Sequence, residues 1–169
     1  MRSRIQILDQ AFLLASNRIR AGRWRPLELL LLGFSRAGDG YLWGLLLFFA
    51  FKNGRNRAAW AGLMAASAAM AISLLLKRAC QRPRPADGLG WGKILAPDQF
   101  SFPSGHTSAA FAIALVADGF WHAISLPVWF AAAGIAASRT LLGFHYLSDV
   151  LAGGVLGLLC GLSISLVLS

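Results

Sequence analysis

Acidic residues are scarce in this 169-residue chain, in which 7 Asp and Glu stand against 16 Lys and Arg. Charged residues of both signs make up only 14% of the sequence, whereas 57% of it is hydrophobic. That composition excludes a disordered chain, which needs low hydrophobicity and high charge. It also argues against a soluble domain, because apolar runs such as Ala58 to Leu76 are nearly free of charge and long enough to cross a bilayer. The sequence predicts an integral membrane protein.

Cysteine is equally rare. Cys80 and Cys160 lie far apart in the sequence, which excludes both a disulfide framework and a cysteine-based metal site. The net charge of +9 could suit a nucleic acid, but on a membrane protein an excess of Lys and Arg usually lies at the lipid headgroups. We therefore expect the bilayer, and no nucleic acid, as the partner of this charge. The oligomeric state is left open.

Residues 1–38 are predicted to form helices at the membrane surface. Apolar residues between Ile5 and Ile19 recur at spacings of three and four, which is typical of an amphipathic helix. The next apolar stretch, Leu27 to Phe34, is too short to cross a bilayer and predicts a half-inserted helix.

Residues 39–169 contain five longer apolar segments, which we interpret as transmembrane helices. They run from Asp39 to Phe51, Ala58 to Leu76, Ser104 to Trp121, Ile124 to Leu142 and Leu147 to Leu168. The longest polar segment, Lys77 to Phe102, is interpreted as a loop. The predicted fold is all-α, a membrane helical bundle of about five transmembrane helices in a single domain that spans residues 1–169.

The order of the spans brings distant polar segments to one face of the membrane. The spans that begin at Ser104 and Ile124 form an out-and-back pair. The loop before Ser104 and the turn around His145 must therefore lie on the same side. Three polar clusters map to that side.

The first cluster lies between Lys77 and Pro85 and contains four cations. Alone, it is typical of a headgroup anchor that flanks a membrane helix. Pro83 and Pro85 stiffen the segment, however, and would fix the direction in which Arg84 points.

The second cluster, Phe102 to Ser108, begins a span. A helix N-terminus presents unpaired N–H groups and a partial positive charge, which favour an anion. Ser104 adds a hydroxyl, Gly105 allows close approach, and His106 follows. The alternative is an ordinary helix cap with an interfacial histidine.

The third cluster extends from Ser138 to Asp149. Arg139 lies near the end of an apolar span, where a charge is costly, so we expect it to have an anionic partner. His145 and Asp149 are four residues apart and would be adjacent if the last helix began by His145. The carboxylate could then accept a proton from one imidazole nitrogen and leave the other as a nucleophile. The alternative is a satisfied interfacial pair.

Together, the three clusters resemble the signature of the type 2 phosphatidic acid phosphatase superfamily. That signature reads Lys-x6-Arg-Pro, then Pro-Ser-Gly-His, then Ser-Arg-x5-His-x3-Asp. Every defining position is matched here, by Lys77 to Arg84-Pro85, by Pro103-Ser104-Gly105-His106, and by Ser138-Arg139 to His145 to Asp149.

The resemblance implies a single membrane-embedded phosphatase domain that hydrolyses phosphate esters through a phosphohistidine, without a metal or other cofactor. The residue that matches His145 attacks phosphorus, the one that matches Asp149 orients it, and the one that matches His106 protonates the leaving oxygen. The residues that match the phosphate-binding positions are Lys77, Arg84, Ser104, Gly105 and Arg139.

The implied substrate is a lipid phosphate or diphosphate. Undecaprenyl diphosphate, phosphatidylglycerol phosphate, phosphatidate and a lipid A phosphate all fit. Two alternatives stay open, namely a phosphotransferase that passes the phosphoryl group to a lipid or sugar acceptor, and a non-catalytic lipid-binding or transport protein. The ionisable residues gather at span ends rather than near the bilayer midplane, which favours surface chemistry over transport.

Two features depart from the family pattern. Family members commonly have six spans, and this chain opens directly with the predicted surface helices. Bacterial members place the site on the periplasmic side of the cytoplasmic membrane, and we adopt that orientation from the resemblance. The arginine-rich N-terminal region lies on the same face, and the positive-inside rule would instead place that face in the cytoplasm.

Overall fold

The computed structural model describes residues 4–18, 25–85 and 99–168. Within these ranges the chain forms seven helices, and the only β-type pairing is an isolated bridge between Pro83 and Phe100. The helices are α1 (Arg4–Arg18), α2 (Arg25–Ala37), α3 (Tyr41–Lys52), α4 (Asn56–Cys80), α5 (Gly105–Phe120), α6 (His122–Leu141) and α7 (Leu147–Leu168). The predicted all-α membrane bundle is confirmed.

Three of the described helices, α4, α6 and α7, are long and apolar enough to cross a membrane. They correspond to three of the five predicted spans. The other two predicted spans contain α3, with 12 residues, and α5, with 16 residues. The total of five spans stays a prediction. The end of the predicted surface helix at Ile19, the segment 20–24 and the middle of the predicted loop, 86–98, lie outside the described residues.

Apolar side chains cover the outside of the bundle. Leu75 is 63% exposed, Phe130 is 70% exposed and Leu166 is 69% exposed. Such a surface would be unfavourable in water, but it matches the hydrocarbon of a bilayer.

Helix α5 lies at the centre of the bundle, because it packs against α4, α6 and α7. Its buried face consists mainly of small side chains, among them Ala110, Ala112 and Ala114, which are fully buried. Small residues let helix backbones approach closely, and in a membrane this close packing is a main source of helix association. The position of α5 matters for the site, since its first turn carries Ser104 to His106.

Glycines of α7 allow the closest of these approaches. A Cβ atom on Gly157 would overlap the carbonyl oxygen of Ser108 in α5, and one on Gly153 would lie 2.6 Å from the carbonyl oxygen of Ser104. Just before Gly153, the carbonyl oxygen of Asp149 accepts a hydrogen bond of 3.0 Å from the backbone N–H of Ser104. The glycine face therefore brings the start of α7 against the start of α5.

One predicted helix boundary is wrong. Helix α4 continues to Cys80 rather than ending at Leu76, so Lys77 lies in its last turn and not in a loop. Cations are favourable at a helix C-terminus, and the side chain of Lys77 is buried by tertiary contacts that a local pattern does not contain. Helix α2 covers the predicted apolar segment from Leu27 to Phe34 and ends at Ala37, within the predicted surface region of residues 1–38.

The close approach of α7 to α5 can be tested with Gly157→Ala. The added methyl group has no room beside Ser108, so we expect a loss of about 1 to 3 kcal/mol of stability. Thermal unfolding in detergent measures this loss. The control is Gly33→Ala in α2, where an added Cβ meets nothing within 4 Å. Equal unfolding temperatures for the two variants would contradict the packing described here.

Candidate active site

The centre of the site is the imidazole of His145, which lies between α6 and α7 and is 1% exposed. The backbone N–H groups of Phe144 and His145 both donate to the carbonyl oxygen of Arg139, at 3.0 Å each. Gly143 makes this turn possible, because its φ of +75° is favourable only for glycine. The turn places His145 directly beyond the end of α6.

Asp149 lies behind this imidazole and is fully buried. Its Oδ2 is 3.7 Å from His145 Nδ1 and accepts a hydrogen bond of 2.9 Å from the backbone N–H of Tyr146. Helix α7 begins at Leu147, as predicted, so His145 lies just before the helix and not in its first turn. The spacing of four residues still brings the two side chains together.

Three cations surround His145. Lys77 is 4% exposed and donates to the carbonyl oxygen of Phe100 at 3.1 Å. Arg84 Nη1 donates to the carbonyl oxygen of Phe144 at 2.8 Å and lies 3.2 Å from His145 Nε2. Arg84 therefore lies at His145 Nε2, and Lys77 is close enough to act electrostatically on the same imidazole.

Arg139 is the third cation and is 1% exposed. Its Nη1 donates to the hydroxyl of Ser35 in α2 at 2.6 Å, and its Cζ lies 4.6 Å from the ring centroid of Phe144. These two contacts, with a hydroxyl and an aromatic ring, hold the guanidinium in place. The anionic partner expected from the sequence stays a prediction.

The pKa of His145 lies well below its ordinary value. Burial is the largest cause, and Arg139, Arg84, Lys77 and His106 lower the pKa further, because each would be repelled by a protonated imidazole. His145 is therefore neutral at physiological pH and keeps a lone pair on one ring nitrogen. A neutral, oriented imidazole is the form that can act as a nucleophile.

The second histidine of the signature, His106, lies in the first turn of α5. Its Nε2 is 2.9 Å from Asp39 Oδ1, in the turn between α2 and α3. A Cβ atom on Gly38 would come within 2.9 Å of His106 Cδ2, so only glycine lets this turn lie against the ring. In the sequence, Asp39 marks only the start of a predicted span, and its contact with His106 was missed. The signal that could have indicated this contact is the Gly-Asp-Gly turn at the end of a span, on the face of the predicted site.

The two residues before His106, Ser104 and Gly105, are held in place by contacts with other residues of the protein. Ser104 is fully buried, and its hydroxyl accepts a hydrogen bond of 3.0 Å from Thr107 Oγ1. A Cβ atom on Gly105 would lie 3.1 Å from Met70 Sδ, so the small size of this residue also serves packing against α4. Both residues stand at the start of α5, as predicted, and their contact with phosphate stays a prediction.

A lateral groove begins beside His106 and has a volume of about 870 Å³. Arg36, Asp39 and His106 provide its charged and titratable lining, and the rest of the lining comes mainly from α3 and α4. The main apolar residues of the groove are Trp43, Leu47, Leu63, Met70 and Leu74. Because the α4 residues extend from Leu63 to Leu74, the groove is about 16 Å long at 1.5 Å per helical residue. An apolar chain attached to a polar headgroup fits this shape.

A family model described as the PAP2 superfamily matches residues 57–169, a range that contains all three parts of the signature. The chain belongs to the PAP2 superfamily. Within the described residues, no three His, Cys, Asp or Glu side chains are grouped so that they could hold a metal ion.

Individual PAP2 relatives agree with this assignment. The chain is 37% identical over 134 residues to a decaprenylphosphoryl-5-phosphoribose phosphatase of Mycobacterium tuberculosis, covering 76% of this chain and 73% of the relative. The crystal structure of LpxE from Aquifex aeolicus superposes with a TM-score of 0.75 at 32% identity and covers 93% of both chains. A transmembrane PAP2-type phosphatidylglycerolphosphate phosphatase of Bacillus subtilis shares the fold, with a TM-score of 0.78, 23% identity and coverage of 96% and 85%. The protein is thus a membrane-embedded member of a phosphatase family.

The cluster of cations predicts that inorganic phosphate stabilises the protein. At ten times its dissociation constant, phosphate should contribute about 1.4 kcal/mol, which corresponds to about 3 to 6 °C in the unfolding temperature. Arg84→Gln should abolish most of this shift because it removes a cation beside His145. Arg57→Gln, which removes an exposed cation at the other end of α4, should retain the stabilisation by phosphate. The same shift in both variants would exclude the cluster as the phosphate site.

Proposed function

We propose that the protein hydrolyses a phosphate or diphosphate group on a membrane lipid through a phosphohistidine on His145, without a metal ion. The observation that carries the proposal is the buried neutral imidazole of His145, with the guanidinium of Arg84 at Nε2 and the carboxylate of Asp149 behind Nδ1. We further propose that residues 1–169 act as one domain in the cytoplasmic membrane of a bacterium, with the site facing the periplasm.

In the first step, the lone pair of His145 Nε2 attacks phosphorus and the bond from phosphorus to the lipid oxygen breaks. The imidazole becomes positively charged as the N–P bond forms, and Asp149 stabilises that charge through the proton on Nδ1. Lys77, Arg84 and Arg139 stabilise the negative phosphoryl oxygens. Phosphoryl transfer depends mainly on such positioning and charge stabilisation.

His106 is the proposed donor of the proton that the leaving oxygen needs. It lines the lateral groove, so a lipid whose chain occupies the groove has its leaving oxygen near this imidazole. Asp39 holds the ring by its contact with Nε2. In the second step, water gives a proton to His106 and attacks phosphorus, the N–P bond breaks, and phosphate leaves.

The groove supports a lipid rather than a soluble phosphate ester as substrate, because a soluble ester has no apolar chain to fill the apolar length of the groove. The relative from Mycobacterium tuberculosis, by its name, acts on a sugar phosphate attached to a decaprenyl phosphate. We therefore propose a polyprenyl-linked phosphate as the first substrate to test, beside phosphatidylglycerol phosphate, phosphatidate and a lipid A phosphate.

The proposed function is tested by phosphate release from this panel of lipids in detergent, with a chelator present. The wild type should release phosphate from at least one lipid. His145→Ala should lose about a thousandfold or more of the rate, as expected when a nucleophile is removed. His122→Ala is the matched control, since His122 is an exposed histidine at the opposite end of α6.

Three results would count against the proposal. Release from no lipid would favour a non-catalytic lipid-binding protein. Loss of activity with the chelator would contradict the metal-free mechanism. Transfer of the phosphoryl group to an added lipid or sugar in place of water would identify a phosphotransferase.

The lowered pKa of His145 predicts the pH dependence. A protonated imidazole has no lone pair, so kcat/KM should fall only as the pH drops through the lowered pKa, well below the ordinary value of 6.5. Arg84→Gln removes a cation that lowers this pKa, and should therefore move the acid limb to higher pH as well as reduce the rate. Because the substrate is the same for both proteins, its own ionisation cancels in the comparison. An acid limb that stays in place would exclude His145 as the titrating group.

A further inference from the structure

A network of ionic hydrogen bonds joins the surface helix α1 to the carboxylate behind His145. Arg82 Nη1 donates to Asp149 Oδ1 at 2.7 Å, and Arg82 Nη2 donates to Asp9 Oδ2 at 2.7 Å. Ser148 completes the network. Its backbone N–H donates to Asp9 Oδ1 at 2.9 Å, its hydroxyl donates to Asp9 Oδ2 at 2.6 Å, and its oxygen accepts from Arg82 Nη1 at 2.7 Å.

The network helps to orient the Asp149 carboxylate, together with the backbone N–H of Tyr146 and the side chain of Ser101. Arg82 binds Oδ1, and the N–H of Tyr146 binds Oδ2, which leaves Oδ2 facing His145 Nδ1. The guanidinium of Arg82 is itself held in place, because its Cζ lies 4.2 Å from the ring centroid of Tyr146. Rotation of the carboxylate would break both the charge-assisted hydrogen bond from Arg82 and the backbone hydrogen bond from Tyr146.

Asp9 changes the charge that the imidazole experiences. If Arg82 paired with Asp149 alone, the two charges would cancel and Asp149 would stabilise an imidazolium poorly. With Asp9 present, one guanidinium is shared by two carboxylates, and the three groups together carry a negative charge. Asp9 is 3% exposed, and hydrogen bonds from Ser148 and Arg82 outweigh the effect of burial, so its pKa is lowered and it is ionised at neutral pH.

We propose that Asp9 and Arg82 are positioning residues that hold the Asp149 carboxylate oriented behind His145, and that Asp9 leaves the three linked groups with a net negative charge. The surface helix α1 thereby contributes a side chain to the catalytic apparatus through Asp9. This proposal rests on the proposed function, because it assigns these residues to the support of a histidine nucleophile.

The first test is Asp9→Asn, assayed with a lipid that the wild type hydrolyses. We expect kcat to fall roughly ten- to hundredfold, the usual effect of disturbing the partner of an orienting carboxylate. The KM should change less than about twofold, since the phosphate-binding cations are untouched. The acid limb of kcat/KM should also move to lower pH, because His145 loses a nearby negative charge. The other charged or titratable groups around His145 stay in place, namely Lys77 on α4, Arg82 and Arg84 after α4, His106 on α5, Arg139 on α6 and Asp149 on α7.

Two further variants distinguish a positioning role of Asp9 from a role that only docks α1 onto the rest of the bundle. Leu13→Ala removes a buried apolar side chain of α1 and no charge, so it should lower the unfolding temperature with little change in kcat or the acid limb. Asp9→Glu keeps the charge and should recover part of the rate that Asp9→Asn loses. Should Asp9→Asn fail to fold, Ser148→Ala takes its place, because it removes one hydroxyl of the network and should lower kcat several-fold at unchanged KM.

Three results would overturn the proposal. An Asp9→Asn variant with the kcat and pH profile of the wild type would leave Asp9 without a positioning role, while the proposed function would stand. A Leu13→Ala variant that matched both the rate loss and the shift in pH would assign the effect to helix docking. A wild type that releases phosphate from no lipid would overturn the proposed function and this inference together.

Discussion

Positive charge held around a buried, neutral imidazole is the condition on which the other features of the site depend. Burying Lys77 and Arg139 costs free energy, and the cost is offset only where their donors find acceptors. Acceptors for these donors include the carbonyl oxygen of Phe100 and the hydroxyl of Ser35, which belong to segments far apart in the chain. These contacts hold both cations close enough to His145 to lower the pKa of its imidazole.

Helix packing allows this arrangement at the end of the bundle. The glycines of α7 and the alanines of α5 bring two backbones together, and the first turns of both helices then meet at Ser104 and Asp149. The backbone contact between these residues holds the start of α5, which carries His106, against the start of α7, which carries Asp149. The apolar groove opens beside His106, lined mainly by α3 and α4. One set of small residues thus brings together the helix ends that carry the residues of the proposed site.

Much of this site was predictable from the sequence, because the signature residues lie within short segments and the reversal of the helices brings those segments to one face. Pairs that depend on the packing of distant helices were not predictable in this way. Asp39 and His106 are 67 residues apart, and Asp9 and Ser148 are 139 residues apart, so no local pattern relates them. The end of α4 was predicted at Leu76 because a run of charged residues usually ends a membrane helix. The helix continues to Cys80, with the side chain of Lys77 buried by contacts with distant parts of the chain.

Bond formation between His145 Nε2 and phosphorus, as proposed above, can be observed by mixing the protein with a lipid phosphate labelled with ³²P, quenching in strong base and locating the label by peptide mass spectrometry and ³¹P NMR. We expect phosphate on the Nε2 of His145. Phosphate on Nδ1 of that ring, on His106 or on a carboxylate would contradict it, as would turnover without any labelled protein under conditions that preserve phosphohistidine.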